Sequence, residues 1–278
     1  MRNLVQVLRA LRDRFWPVNY SYPALDVTLG DCRLHLVGSI HMGTRNMLPL
    51  PAVLMARLRQ ADALIVEADI TAGGSPFSDS AVCPPLAERL SAEQLSTLQQ
   101  RAAELGISPE RIDTLPAWQV ALMLQAQQAQ RLGLHADCGI DYQLLQAARG
   151  LEKKVIELEG PETQLALLNS LPDNGLPLLE DTLEHWHTNA RLLQTMVSWW
   201  LEAPPGSLGK LELPNTFSSS LNDLLMHQRN QQWSQLLRQL PPGRYVVAVG
   251  ALHLYGEGNL PGLLKKHKKR PMLKSARQ

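Results

Sequence analysis

Val37-Gly38-Ser39-Ile40-His41-Met42 and Val249-Gly250-Ala251-Leu252-His253-Leu254 are two copies of one short pattern within a chain of 278 residues. Each follows an apolar run of strand character, and each sets a glycine where the run ends and a histidine three residues later. The offset between the copies also brings Leu48-Pro49 onto Leu260-Pro261. Glycine permits a tight turn or a close backbone approach as the chain leaves the sheet. Ligand sites of open α/β sheets lie beyond the carboxyl ends of strands. If the two strands are neighbours, both imidazoles therefore converge on one pocket. A single Gly-x-x-His reads equally well as a turn whose histidine bonds backbone. Two matched histidines at strand ends are a common way to build a metal or acid/base site.

Outward from these ends, Val27 to Leu29 leads through Gly30-Asp31, a two-residue hairpin signal, into Cys32 to Val37, and Ala63 to Val66 is a further short apolar run. The period then becomes helical over residues 86 to 132, with Ser91-Ala92-Glu93-Gln94 resembling a capping box and Gly106 placed after a last turn. Tyr142 to Ala148 is helical, Lys154 to Leu158 a strand, and long helices are expected at about 177 to 201 and 218 to 240. A strand over Arg244 to Val249 and a helix near 260 to 268 complete the chain. The expected fold class is α/β in the α+β sense, a central mixed sheet with pseudo-duplicated strand-Gly-x-x-His ends and a large helical middle. The expected organisation is an amphipathic helix and lead-in over 1–24, one domain over 25–264 and a basic tail over 265–278.

The net charge of +1 conceals an asymmetry. Residues 1 to 14 carry four Arg against one Asp, residues 265 to 278 carry seven Lys/Arg and no acid, and the body between them is acidic at −9. An acidic body is not a nucleic-acid footprint, so no specific nucleic acid is expected, while the basic ends suit weak contact with an anionic membrane. Three cysteines without Cys-x-x-Cys spacing argue against a disulfide framework. Arg9 and Arg12 interrupt any signal-peptide core. A cytoplasmic protein is expected. His-Glu-x-x-His, Gly-x-Ser-x-Gly and P-loop patterns do not occur, which removes those chemistries in their usual forms.

Two imidazoles and a carboxylate, His41, His253 and the strand-end Glu67, match the ligand count of a catalytic divalent site with one position open for water. A second acid such as Glu157 or Glu159 could accept the water's proton. Strand alternation puts both on one face, which is either part of the pocket or solvated. Asp141 reads as a ligand or as a helix N-cap. Arg229 and Asn230 interrupt an apolar helical stripe of Met226, Trp233 and Leu237, with Leu225 and Leu236 beside it. They form either an internal polar tie or an arginine that fixes a carboxylate or stabilises an oxyanion. His185-x-His187 falls at helical spacing that turns the two rings to different sides.

Gly38-x-x-His41, Glu67-Ala68-Asp69, Gly139-Ile140-Asp141, Glu157-Leu158-Glu159, Arg229-Asn230 and Gly250-x-x-His253 occur in the order found in TraB/GumN-type proteins, and the chain resembles that family over roughly residues 25 to 265. The family includes the Tiki proteins, which are membrane-tethered metal-dependent proteases, and a bacterial regulator that shuts down peptide pheromone activity. Its fold resembles that of erythromycin-esterase-like and ChaN-like proteins. The resemblance implies a bacterial metal-dependent hydrolase, plausibly a peptidase, acting on a peptide or small molecule with Mn, Co or Zn. Metal ligands would be His41, His253 and Glu67. Glu67, Arg229, Asn230 and Glu159 would take catalytic roles, with Gly38, Gly250 and Asp141 shaping the site. The competing expectation is a non-catalytic protein that binds a peptide or ligand in the same pocket.

Overall fold

The structure is a computed structural model that describes residues 20–71, 81–205 and 217–266. Most of the N-terminal helix expected over 1–24, and the tail beyond residue 266, lie outside the described residues. Five strands form one mixed sheet: β1 (Ala24–Leu29), β2 (Cys32–Ser39), β3 (Ala63–Val66), β4 (Lys154–Glu157) and β5 (Gly243–Gly250), in the order β1-β2-β5-β3-β4. β1 is antiparallel to β2, and the other neighbours are parallel. Residue patterning decides who is central. β3 is buried throughout, β2 and β5 nearly so, whereas β1 alternates and β4 is half-exposed, as edge strands do. Gly30, at φ 57, makes the hairpin turn between β1 and β2.

The helices are α1 (Ala52–Gln60), α2 (Leu86–Arg89), α3 (Ala92–Leu105), α4 (Ala117–Arg131), α5 (Ile140–Gly150), α6 (Pro161–Asn169), α7 (Leu176–Glu184), α8 (Trp186–Leu201), α9 (Ser219–Asn222), α10 (Arg229–Arg238) and α11 (Leu260–Lys266). Ser91 and Gln94 cap α3 reciprocally, and Gly106 ends it in the left-handed region. Two apolar clusters result. One joins the sheet to α1, α5, α8, α10 and α11, and the other holds α2, α3, α4, α7 and the start of α8.

Three expectations need correction. The long helix at 177 to 201 is two helices, because His185 leaves helical geometry at φ −95, ψ 21. There Gln128 of α4 donates to the Trp186 carbonyl, 3.0 Å away. The helix at 218 to 240 contains a π-helical stretch, Asp223–Gln228, between α9 and α10. That wider winding rotates the residues within it relative to those that follow, so Met226 is only half-buried while Trp233 and Leu237 of the same stripe are buried. Glu157 and Glu159 do not share a face, since β4 ends at Glu157 and the chain turns at Gly160, whose φ is 82. The three cysteines are free and buried. No helix among the described residues is long and apolar enough to cross a membrane.

Candidate active site

Parallel pairing brings the carboxyl ends of β2, β5 and β3 to one edge of the sheet. Ser39 pairs with Gly250 and Gly38 with Val249, so the two glycines are one residue out of step on neighbouring strands. Val66 pairs with Ala248, which sets Glu67 beside the end of β5. Space constrains the first glycine more than the second, where a Cβ would make ordinary contacts. A Cβ on Gly38 would lie 3.1 Å from Ala251 Cα, and one on Gly250 would meet Glu67 Oε1 and His253 Cδ2 at 3.4 Å. Beyond Gly250 a 3-10 turn, Ala251–Leu254, carries His253 inward. Beyond Ser39 the chain runs irregularly to His41, braced where Ile140 N–H donates to the Ile40 carbonyl at 2.9 Å. Trp200 of α8 donates from Nε1 to the Gly38 carbonyl at 3.0 Å and stacks on Tyr22, fixing the first turn from the other side.

The two imidazoles are held in opposite ways. His253 is buried, and its Nδ1 lies 2.8 Å from Asn230 Oδ1. Asn230 donates its amide to the Gly258 carbonyl at 3.1 Å, which fixes which amide atom is oxygen and so puts the His253 proton on Nδ1. Its Nε2 is then the acceptor, and Arg229 Nη1 donates toward it from 3.5 Å. Burial, only partly offset by the Glu67 charge, holds this ring neutral down to about 4. His41 instead is 65% exposed, with Nδ1 2.9 Å from the buried Asp141 carboxylate. The Asp141 charge, then its hydrogen bond, holds the imidazolium up to about 9, and water over the open face screens part of that pull.

Between them lies a charge cluster. Arg229 donates from Nη2 to Glu67 at 2.6 Å and engages Glu159 through Nε and Nη2 at 2.8 and 2.9 Å. Its guanidinium lies over the Trp233 ring, centroid distance 4.6 Å, while Trp233 Nε1 donates to Glu159 at 2.9 Å. Gly250 N–H donates to the other Glu67 oxygen at 2.7 Å. Burial would raise the Glu67 carboxyl. The charge of His253, present only below about 4, with those of Arg229 and His41 and the Gly250 N–H, overcomes it and holds Glu67 at about 2. The stable assignment for this coupled group is an ionised Glu67 beside a neutral His253.

The structure thus brings His41, His253, Glu67, Glu159, Arg229, Asn230 and Asp141 together at one edge of the sheet. Glu157 lies apart, accepting from Asp69 N–H at an exposed position. Asp141 is not an N-cap, because α5 starts one residue earlier, at Ile140 after Gly139, which turns Asp141 from the first turn toward His41. Sequence reasoning did not single out Gln164, whose amide reaches 3.5 Å from Glu67, or α6, which carries it. Gly160-Pro161-Glu162, with Pro at the first helical position and an acid in the first turn, was the available signal.

His41 has the arrangement of a metal ligand, with Nδ1 held from behind and Nε2 turned away from that support, and His253 is held in the same way at Nδ1 although its Nε2 faces Arg229 Nη1 at 3.5 Å. Glu67 has not, since both oxygens already accept strong donors. Among the described residues, the one trio of ligand-type side chains with donor atoms all within 4.8 Å of one another is Asp181, Glu184 and His185, at the end of α7. His187, the other half of the His-x-His pair, is exposed and faces Arg101 at 3.5 Å.

The Asp141–His41 pair carries a pH signature. A group whose folded value lies above its unfolded 6.5 adds stability below that pH and loses it as pH rises through about 9. Asp141→Asn is therefore expected to lower the melting temperature relative to the parent most at pH 5 to 6, with the gap narrowing between pH 6.5 and 9. Parallel pH–melting curves would contradict the pairing.

Residues 24–271 match the model of the TraB/PrgY/gumN family. The chain is similar to YbaP of Escherichia coli (strain K12) and YbaP of Shigella flexneri, each 61% identical over 248 residues, which is 89% of this chain and 94% of the relative.

Proposed function

The chain belongs to the TraB/PrgY/gumN family, and on that footing we propose that it is a hydrolase of peptides or of another small substrate with a scissile carbonyl. The observation that carries this reading is the pair of imidazoles from one duplicated motif, one backed at Nδ1 by the Asp141 carboxylate and the other by the Asn230 amide oxygen, surroundings that favour opposite protonation states. Two titratable groups driven apart in this way are suited to serve as base and acid. Nε2 of neutral His253 takes a proton from water as the water oxygen bonds the carbonyl carbon. Protonated His41 then gives its proton to the leaving nitrogen or oxygen as that bond breaks, and Asp141 steadies the ring throughout. Arg229, braced by Glu159 and Trp233, keeps Glu67 ionised next to His253.

A divalent cation, Mn, Co or Zn, is the other form of this reading: held by the Nε2 atoms of His41 and His253, both then neutral, it would lower the pKa of bound water and polarise the carbonyl in place of the base and acid roles given to those rings. Glu67 stays with Arg229 and Gly250 N–H. Cytoplasmic residence is also part of the proposal, supported by three unpaired thiols.

The test is a library of peptides and esters offered to the purified protein with and without Mn, Co and Zn, alongside elemental analysis. Turnover that disappears in both His41→Ala and His253→Ala supports the hydrolase. Stoichiometric binding without turnover favours the second reading, a protein that sequesters a peptide in the same crevice. Glu67→Gln refines the roles. Glu159 keeps Arg229 paired, so the substitution is expected to cost about 1–3 kcal/mol, the worth of a hydrogen bond to a charged group, rather than to strand the cation. Urea unfolding measures it, and a loss above about 4 kcal/mol would show that Glu159 cannot hold Arg229 alone.

A further inference from the structure

Ser39, inside the first Gly-x-x-His copy, is 1% exposed, and its hydroxyl has no protein partner within hydrogen-bond distance. A buried hydroxyl in that condition is uncommon and calls for an explanation. Its direction follows from the sheet. Ser39 is registered against Gly250, and paired residues on neighbouring parallel strands project to the same face. On Gly250, that direction is the one in which a Cβ would meet the Glu67 carboxylate and the His253 ring, each at 3.4 Å. The Ser39 hydroxyl therefore stands on the site face of the sheet, on β2, with β5 between it and the strand that leads into Glu67, and two residues ahead of His41. The Thr44 hydroxyl also lacks a protein partner, but no strand register directs it.

The chemistry of the neighbours restricts what can satisfy Ser39. Ionised Glu67 only accepts hydrogen bonds, and the Nε2 atom of His253 is likewise an acceptor, whereas a hydroxyl both donates and accepts. A group shared between them must donate toward the carboxylate and still bond the serine, and it must be small enough for a buried strand end. Water meets all three conditions. We infer that Ser39 is a further residue of this site, whose hydroxyl holds an ordered water beside the Glu67 carboxylate, and that this is the water consumed in hydrolysis. The second half rests on the hydrolase reading; the first does not. Ser39 acts through that water and is a positioning residue.

Diffraction at about 1.5 Å from the parent, Ser39→Ala and Ser39→Thr separates the halves. Expected is a water within hydrogen-bond distance of the Ser39 hydroxyl and a Glu67 oxygen, kept in Ser39→Thr and lost in Ser39→Ala, with all three proteins folded alike. A parent in which the hydroxyl bonds a protein carbonyl, or shows no such water, overturns the inference. For a substrate that the parent cleaves, Ser39→Ala is expected to lower kcat about tenfold or more with KM within about twofold, and Ser39→Thr to restore most of it. Loss of the water with kcat unchanged overturns its catalytic use. A parent that cleaves nothing in the library refutes the hydrolase reading, while diffraction still decides whether Ser39 holds the water.

Discussion

Arg229→Met is expected to be the most damaging single substitution in the site. The Glu67 and Glu159 side chains are 7% and 5% exposed, and Arg229 is the cation paired with both. Removing it leaves two buried carboxylates without a counter-charge, a change that typically costs about 3–5 kcal/mol. For a chain of this size that corresponds to a melting temperature lower by roughly 10 °C. The deficit should also depend on pH. In the parent, Glu67 stays ionised down to about 2, so its pairing adds stability above the unfolded carboxyl range and loses it as pH falls through that value. In the variant, burial without the arginine raises the Glu67 carboxyl, which is then better tolerated in the fold when protonated. The gap between parent and variant should therefore shrink as pH drops below about 5. Calorimetry across pH 4 to 8 checks both the size and the trend. Arg229→Met melting within about 2 °C of the parent at neutral pH would mean that the cluster contributes little to the fold.

Gly139→Ala tests a different support. Gly139 precedes α5 at φ −61, an ordinary value, so nothing in its backbone asks for glycine. Space does. A Cβ there would overlap the His41 carbonyl oxygen and come within 2.7 Å of the His41 carbonyl carbon and 3.0 Å of the Ala136 oxygen. These are backbone atoms, two of them in the turn that carries His41, and they cannot swing aside as a side chain would. Overpacking of this kind costs about 1–3 kcal/mol, and relief requires the His41 turn and the start of α5 to separate. Since Asp141 sits two residues into that helix, separation also loosens its bond to His41, and the imidazole should return toward 6.5. Gly150, at the other end of the same helix, has open space around its Cβ position and no positive φ, so Gly150→Ala serves as the control and is expected to be neutral or mildly stabilising. Chemical unfolding of the two variants and the parent, with the His41 titration followed by NMR, gives the comparison. Equal stability of Gly139→Ala and the parent would contradict the close approach.

What could be read from the sequence was whatever local period or capping chemistry encodes. The hairpin at Gly30-Asp31, the buried run Ala63 to Val66, the capping box at Ser91 and the strand that ends at Gly250 all reappear in place, because alternation, burial and turn residues act over a few neighbours. The duplicated Gly-x-x-His pattern pointed to one edge of one sheet, and the parallel pairing of β2 with β5 brings its copies there. The missing parts depend on distant residues. Nothing near Asp223 announces a π-helical stretch, which belongs to the packing of His227 against Gly258 and of Asn230 against the same loop. Beside the break at His185, the Trp186 carbonyl accepts from Gln128, 58 residues before it. The contrast between two histidines in matching motifs could not be read at all. It is made by an aspartate from α5 in one case and an asparagine from α10 in the other. Arg229 left two readings open in sequence, and its pairing with both glutamates draws on β3, the segment after β4, and α10 together.

Direct titration of the histidine rings tests most sharply whether one duplicated motif delivers two differently protonated imidazoles. Two-bond nitrogen–proton NMR spectra of the full chain, labelled at histidine and recorded from pH 4 to 10, report tautomer and charge for each ring, with His41→Gln and His253→Gln supplying the assignments. The expected result is a His253 that stays neutral with its proton on Nδ1 down to about pH 4, and a His41 that keeps both ring protons until about pH 9. If instead both rings titrate together near 6.5, with the His253 tautomer unaffected by Asn230→Ala, the two copies are not set apart by their surroundings and the acid/base pairing fails.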